Sequence, residues 1–234
     1  MLVVWHFLPR KMNRKNLLVN EEKLWGLGVD FIAGVDEVGR GALAGPLVAA
    51  AVILNSRHFE PTQTVISSVA RNLYLRINDS KLLTPKVRQE LSEFIINNAV
   101  SYSIQIIEPG NVDEWGISKA TQSAFFTAVQ KLSVKPQHVL VDAFPIKSLN
   151  RGVQTNIKHG DRLSISIAAA AAASIIAKVF RDDLMRQYHK TYENYGFDRN
   201  KGYGTQFHLA ALRRFGPCNI HRCSFSPLNR QSVY

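Results

Sequence analysis

Asp36 and Glu37 stand side by side, and Gly39-Arg40-Gly41 follows one residue later. Adjacent carboxylates repel unless a cation lies between them, so the pair points to a hard divalent metal. An arginine between glycines points to a phosphate-rich ligand held close to backbone. Metal together with phosphate is the chemistry of phosphoryl transfer. Two further acids occupy suggestive places: Asp142, after the short apolar strand His138 to Val141, and Asp182, within Lys178-Val-Phe-Arg-Asp-Asp. Four carboxylates with no Cys or His nearby select Mg²⁺ or Mn²⁺ over zinc. Two such ions suit the in-line hydrolysis of a phosphodiester, with no covalent nucleophile from the protein.

Competing readings constrain this one. Asp182 alone is explained as simply by surface pairing with Arg181 and Arg186. Asp36 and Glu37 are harder to dismiss, because acids at the end of a buried strand are costly without compensation. Strand neighbours face opposite ways, so the two share a site only if the strand ends or bends between them. Gly39 to Gly45 also mimics a dinucleotide fingerprint, but Pro46 and the apolar run behind it lack the helix that motif requires. His159, His208 and His221 lie far apart and suit structural hydrogen bonding or phosphate contact better than metal ligation.

The elements that must position these groups alternate between strand and helix. A short helix is expected over Leu17 to Leu27, then a strand over Phe31 to Val35 that Asp36 and Glu37 terminate. Pro46 to Leu54 reads as a buried strand, although periodicity alone does not separate it from a helix. Residues 55–78 read as a long loop or insertion. Thr84-Pro85 starts a helix, Ser101 to Ile107 alternates as a strand, and Asn111 with Glu114 resembles a capping box opening a further helix. The alanine run from Ala168 to Ala173 favours a long helix from near Ser166 to His189. The segment beyond Tyr192 is polar, aromatic and basic. Such an order indicates an α/β domain, in which ligand sites form beyond the strand ends. Residues 1–16 are expected to be a disordered extension, and 17–234 one domain whose C-terminal region, from about 190, is helical.

Composition agrees with a polyanionic partner. Among 234 residues, 29 are Lys or Arg and 18 are Asp or Glu, a net charge of +11. A chain this basic fits nucleic acid better than a merely soluble surface. Cys218 and Cys223 fit no zinc spacing and are expected to be reduced thiols in the cytoplasm. No apolar run approaches the ~20 residues of a membrane span. The N-terminal positive charges follow the apolar Met1 to Leu8, the wrong order for a secretory signal.

Six stretches in order resemble the ribonuclease HII family. They are Ala33-Gly-Val-Asp-Glu-Val-Gly-Arg-Gly with Leu43-Ala-Gly-Pro-Leu-Val, Asp79-Ser-Lys81, Val139-Leu-Val-Asp142, Ala173-Ser-Ile-Ile-Ala-Lys-Val-Phe-Arg-Asp182, Lys201-Gly-Tyr-Gly-Thr-Gln-Phe-His208, and His221-Arg-Cys-Ser-Phe. The resemblance implies an RNase H-like fold with a central mixed five-stranded sheet flanked by helices. It implies endonucleolytic cleavage of the RNA strand in RNA–DNA hybrids and at single ribonucleotides in duplex DNA, leaving 3′-hydroxyl and 5′-phosphate ends. It implies that Asp36, Glu37, Asp142 and Asp182 hold two divalent ions, Mg²⁺ or Mn²⁺. Gly39, Arg40 and Gly41 would read the ribose 2′-hydroxyl through backbone, Tyr203 would stack on the adjacent deoxyribose, and Lys81 would help with phosphate charge. The expected partners are hybrid and ribonucleotide-containing duplex, with a monomeric protein; a replication-clamp contact is not readable in the residues. The alanine run before Ser174 is longer than the family's by about one turn, which inside the helix would rotate Asp182 out of place. A non-catalytic RNA-binding module keeps the charge without needing buried acids, and a DNA nuclease or strand-transfer enzyme on a similar fold is the third reading.

Overall fold

The structure is a computed structural model that describes residues 19–54, 83–142, 144–157 and 168–228. Strands β1 (Ile32–Val38), β2 (Leu47–Ile53), β3 (Ser101–Ile107), β4 (His138–Asp142) and β5 (Gln154–Ile157) form one sheet in the order β3-β2-β1-β4-β5. The β1–β2 and β2–β3 pairings are antiparallel; β1–β4 and β4–β5 are parallel. The expected mixed five-stranded sheet is therefore present. The fifth strand, Gln154–Ile157, has no counterpart in the sequence reading, being four residues with little apolar pattern.

Helices cover both faces. In chain order they are α1 (Val19–Trp25), α2 (Pro85–Asn98), α3 (Pro109–Trp115), α4 (Ile117–Gln130), α5 (Ala168–Thr191), α6 (Phe197–Asn200) and α7 (Gln206–Phe215). On one face, Ala120, Ala124 and Phe125 of α4 pack against Val35, Ala49 and Ala51. On the other, Ala169, Ala172 and Ala173 of α5, with Leu91 and Ile95 of α2, pack against Val48, Ala50 and Val52. Covered on both sides, β2 is fully buried along its length. Such a strand shows no alternation, which is why its sequence resembles a buried helix.

One expected helix start needs correcting. The helix assigned to Asn111 and Glu114 starts earlier, at Pro109, with Glu108 at the N-cap and no side-chain cap. Proline at the first position supplies the start that the capping box was expected to supply. Gly116, at φ +76°, then separates α3 from α4. By contrast, Thr84 Oγ1 does accept from the Val87 amide, and α2 starts at Pro85 as its cap predicts. The expected loop at 55–78 lies outside the described residues, as does the expected extension at 1–16.

The packing of α5 on β1 sets up the functional end of the sheet. A Cβ at Gly34 would lie 2.0 Å from the Ala170 amide nitrogen, so backbone meets backbone there. Only a glycine facing small residues permits this approach, and the alanine run supplies the small residues. Further along, a Cβ at Gly39 would lie 2.1 Å from Arg181 Nε. Gly34 to Gly39 spans about 16 Å of strand, and Ala170 to Arg181 spans about the same length of helix. The helix therefore runs in step with β1, and Asp182 arrives at the end of the strand that carries Asp36 and Glu37. The longer alanine run does not carry Asp182 away from the sheet.

Candidate active site

The expectation that β1 stops at Val35 is corrected: it continues to Val38, with Asp36 opposite Ala50 and Glu37 opposite Ala49. The pleat consequently sends the two acids to opposite faces. Asp36 shares the α5 face with Ala50, and Glu37 shares the α4 face with Ala49. Val35 pairs with Val141, so Asp36 and Asp142 are the next residues along adjacent parallel strands. Asp36, Glu37 and Asp142 thus belong to one end of the sheet, and Asp182 reaches that end from α5 on the Asp36 face. Strand β1 neither ends nor bulges between Asp36 and Glu37, so the condition for that pair to face one site is not met by the strand itself.

These acids are individually supported. The Glu37 amide donates to Asp36 Oδ1 at 2.8 Å, which fixes that carboxylate against its own backbone. Glu37 lies 3.9 Å from Arg40 Nη1. Asp182 is 8% exposed and lies 2.6 Å from Lys178 Nζ and 3.9 Å from Arg88 Nη1 on α2. Among the described residues, no three His, Cys, Asp or Glu side chains lie close enough together to hold a metal. The Asp142 side chain lies outside the described set, as does Lys81. The donor chemistry still fits a hard cation: every candidate ligand is a carboxylate, and the buried one, Asp182, is offset by Lys178 and Arg88. Asp36, Glu37, Asp142 and Asp182 are the residues that would hold it.

The glycine loop after β1 is built from its carbonyls inward. Gly39, at φ +90°, turns the chain where a side chain would strike Arg181. Arg181 and Arg222 are fully buried. Arg181 donates to the carbonyls of Ala44, Pro46 and Lys201 at 2.9–3.1 Å. Arg222 donates to Gly39 at 2.7 Å, Gly45 at 3.0 Å and Arg40 at 3.1 Å. Five loop carbonyls, those of Gly39, Arg40, Ala44, Gly45 and Pro46, are paired this way. Burial lowers the pKa of both arginines; that of Arg222 falls to about 10, first through burial and then through the neighbouring Arg181 charge. Arg222 stays charged at neutral pH.

The C-terminal region backs this loop. The Leu43 and Ala44 amides donate to the Gly202 carbonyl, the Gly45 amide to Ile220 and the Arg222 amide to Leu43. Tyr203, the next residue after Gly202, is 36% exposed, and the Arg181 guanidinium lies 5.4 Å from its ring centre. Behind it, His208 Nδ1 lies 2.9 Å from the Tyr203 carbonyl, and His208 Nε2 lies 3.0 Å from His221 Nε2. Since His221 Nδ1 receives the Cys218 amide, neutral rings satisfy the whole chain of bonds: His208 carries its proton on Nδ1 and His221 on Nε2. Burial, then the facing His208, lowers His221 to about 4. The structural hydrogen-bonding role expected for His208 and His221 is the one they fill, although the fold brings together rings that sequence spacing holds apart. His159 lies outside the described residues.

Three supporting groups were not foreseen as such in the sequence, which offered Arg181 only as a surface partner for Asp182, whereas it is fully buried against loop carbonyls. Arg181 and Arg222 are two cations among 29, and nothing in a single chain separates a buried arginine from a surface one. Glu21 on α1 is also buried, accepting from the Ala169 amide at the start of α5 at 3.2 Å. Its helical spacing shows, but its burial does not.

Comparisons with known proteins point to one family. The ribonuclease HII family profile matches residues 33–227. Ribonuclease HII of Chlamydia caviae is 46% identical over 90% of this chain and 91% of its own length. That of Caldanaerobacter subterraneus is 44% identical over 94% and 84%. Among solved structures, ribonuclease H2 of Pyrococcus horikoshii superposes with a TM-score of 0.66 at 24% identity, covering 86% of this chain and 96% of that one. Bst-RNase HIII in complex with Mn²⁺ superposes at 0.60 with 17% identity, covering 86% and 68%. Those two likenesses carry the fold. The sequence matches span the acids, the glycine loop and the C-terminal backing together, and the chain belongs to the ribonuclease HII family.

Proposed function

We propose that this type 2 ribonuclease H endonuclease hydrolyses the RNA strand of RNA–DNA hybrids and cuts at single ribonucleotides embedded in duplex DNA. The observation that supports the reading is the meeting of two features at one sheet end: the strand-end acids Asp36 and Glu37, with Asp182 on the neighbouring helix, and a glycine loop whose Gly39, Arg40, Ala44, Gly45 and Pro46 carbonyls are held by two buried arginines. Asp36, Glu37, Asp142 and Asp182 hold two divalent ions, Mg²⁺ or Mn²⁺, which when bound neutralise charge at the scissile phosphate and make water a competent nucleophile. Gly39, Arg40 and Gly41 approach the ribose, where the 2′-hydroxyl alone separates RNA from DNA. Tyr203 offers a flat face to the neighbouring deoxyribose, which an extra hydroxyl would obstruct. Lys81 pairs with phosphate. Water oxygen bonds to phosphorus as the bond to the 3′ oxygen breaks, and a proton passes to that oxygen. The products are a 3′-hydroxyl and a 5′-phosphate.

The test is cleavage of a labelled duplex carrying one ribonucleotide, beside an RNA–DNA hybrid and an all-DNA duplex, each with Mg²⁺, with Mn²⁺ and with chelator. Metal-dependent cutting of the first two, with the all-DNA duplex intact, is expected. Cutting of the all-DNA duplex would instead favour a DNA nuclease, and binding without cutting a recognition module.

A further inference from the structure

We propose that Arg222 is a positioning residue that aims the Arg40 and Gly41 amides at the ribose 2′-hydroxyl, and so sets the preference for ribonucleotides. The inference rests on the reading of the glycine loop above and adds what makes that loop selective.

The argument begins with peptide geometry. A trans peptide is planar, with its carbonyl and its N–H directed oppositely. The Gly39 carbonyl and the Arg40 amide belong to one peptide unit, and the Arg40 carbonyl and the Gly41 amide to the next. Arg222 Nη1 donates to both carbonyls, at 2.7 Å and 3.1 Å. By capturing those oxygens, a single buried nitrogen fixes the direction of the two following N–H groups. Among the described residues, neither the Arg40 amide nor the Gly41 amide donates to another group. Two neighbouring donors directed away from the core suit an oxygen acceptor.

Arg222 is itself anchored. Its amide donates to the Leu43 carbonyl, its Nε to the Gly45 carbonyl, and its guanidinium lies 5.2 Å from the Phe225 ring centre. The turn that follows is tied to α3, because the Asp113 carboxylate accepts from the Cys223 and Ser224 amides and from Ser224 Oγ. The loop direction is therefore set from α3 through this turn. Lysine at 222 would keep the charge and three donors but loses the rigid spacing by which Nε reaches the Gly45 carbonyl while Nη1 holds those of Gly39 and Arg40.

The experiment measures affinity by fluorescence anisotropy for a duplex with one ribonucleotide and for the same duplex in all-deoxy form, with Ca²⁺ in place of Mg²⁺ so that no strand is cut. Wild type is expected to favour the ribonucleotide duplex by about tenfold, the worth of a well-aimed hydrogen-bond pair. R222K is expected to fall to within about twofold of no preference, with its affinity for the all-deoxy duplex unchanged, because phosphate contacts dominate that term. Retention of the preference by a folded R222K overturns the inference. So does an equal loss for both duplexes, which is what a purely structural role would give. If circular dichroism shows R222K unfolded, Asp113→Asn loosens the same support from the surface. A reduced preference in that variant supports the inference, and an undiminished one overturns it. Absence of any preference in wild type would overturn the ribose-reading loop itself, a separate result.

Discussion

A carboxylate and its amide differ by one ionisable oxygen, and at position 36 that difference falls where strand β1, strand β4 and helix α5 converge. Asp36→Asn is expected to keep the fold and hybrid binding while removing about 3 kcal/mol or more of transition-state stabilisation, at least a hundredfold in single-turnover rate. A normal rate would remove Asp36 from the site. Glu21 behaves differently. Burial raises its pKa from 4.5 to about 7, outweighing the bond from Ala169, and its Oε2 has no partner among the described residues. The folded state therefore holds this proton more tightly than the unfolded chain. Its contribution is complete below about pH 4.5 and is lost as pH rises through about 7, by up to about 3 kcal/mol. Glu21→Gln should be more stable than wild type at pH 8, with the gap closing toward pH 4.5, read as urea midpoints across that range. Taking the difference between the two proteins cancels the opposite acid sensitivity of His221. The acids of the site were legible as residue types. Glu21 was not, because its environment comes from a contact 148 residues away.

At the scale of elements, the close seat of α5 on β1 is the critical contact. Gly34→Ala places a methyl within 2.1 Å of the Ala169 carbonyl carbon and nearer still to the Ala170 nitrogen. Backbone cannot yield as a side-chain tip does, so a loss of about 1–3 kcal/mol or more is expected. The displaced helix would carry Asp182 with it, so turnover should fall further than a stability loss alone explains. Thermal melts and single-turnover rates on the same preparation check this; an unshifted melting temperature would show that the approach is looser than described. Much of this level could be read beforehand. Ser101 to Ile107 and the Thr84-Pro85 start came from alternation and capping, which are local. The extension of β1 through Asp36 and Glu37 did not, because its continuation is decided by pairing with Ala49 and Ala50 across the sheet. Likewise β5 exists through its partner β4, and its own four residues carry almost no signal.

For the whole molecule, a net charge of +11 sets how the protein meets its substrate. Affinity for hybrid duplex should fall linearly in log–log form with salt, losing about 10³-fold or more between 50 and 200 mM if six or more phosphates are contacted. A flat salt response, measured by anisotropy, would mean that the positive charge does not face the duplex. Among the described residues no helix is long and apolar enough to cross a membrane. The match over residues 33–227 rests on motifs scattered along the chain, and the fold explains the scatter. Segments near 40, 182, 203 and 222 meet around two guanidinium groups. Arg181 and Asp182 are consecutive on α5, one wedged against the glycine loop and the other paired with Lys178 and Arg88 beside the proposed metal acids. Under the proposed function, recognition and scission share a single axle. A slide or twist of that helix would disturb both at once, so an engineer seeking a relaxed sugar preference must work from the C-terminal region or the loop and leave α5 untouched.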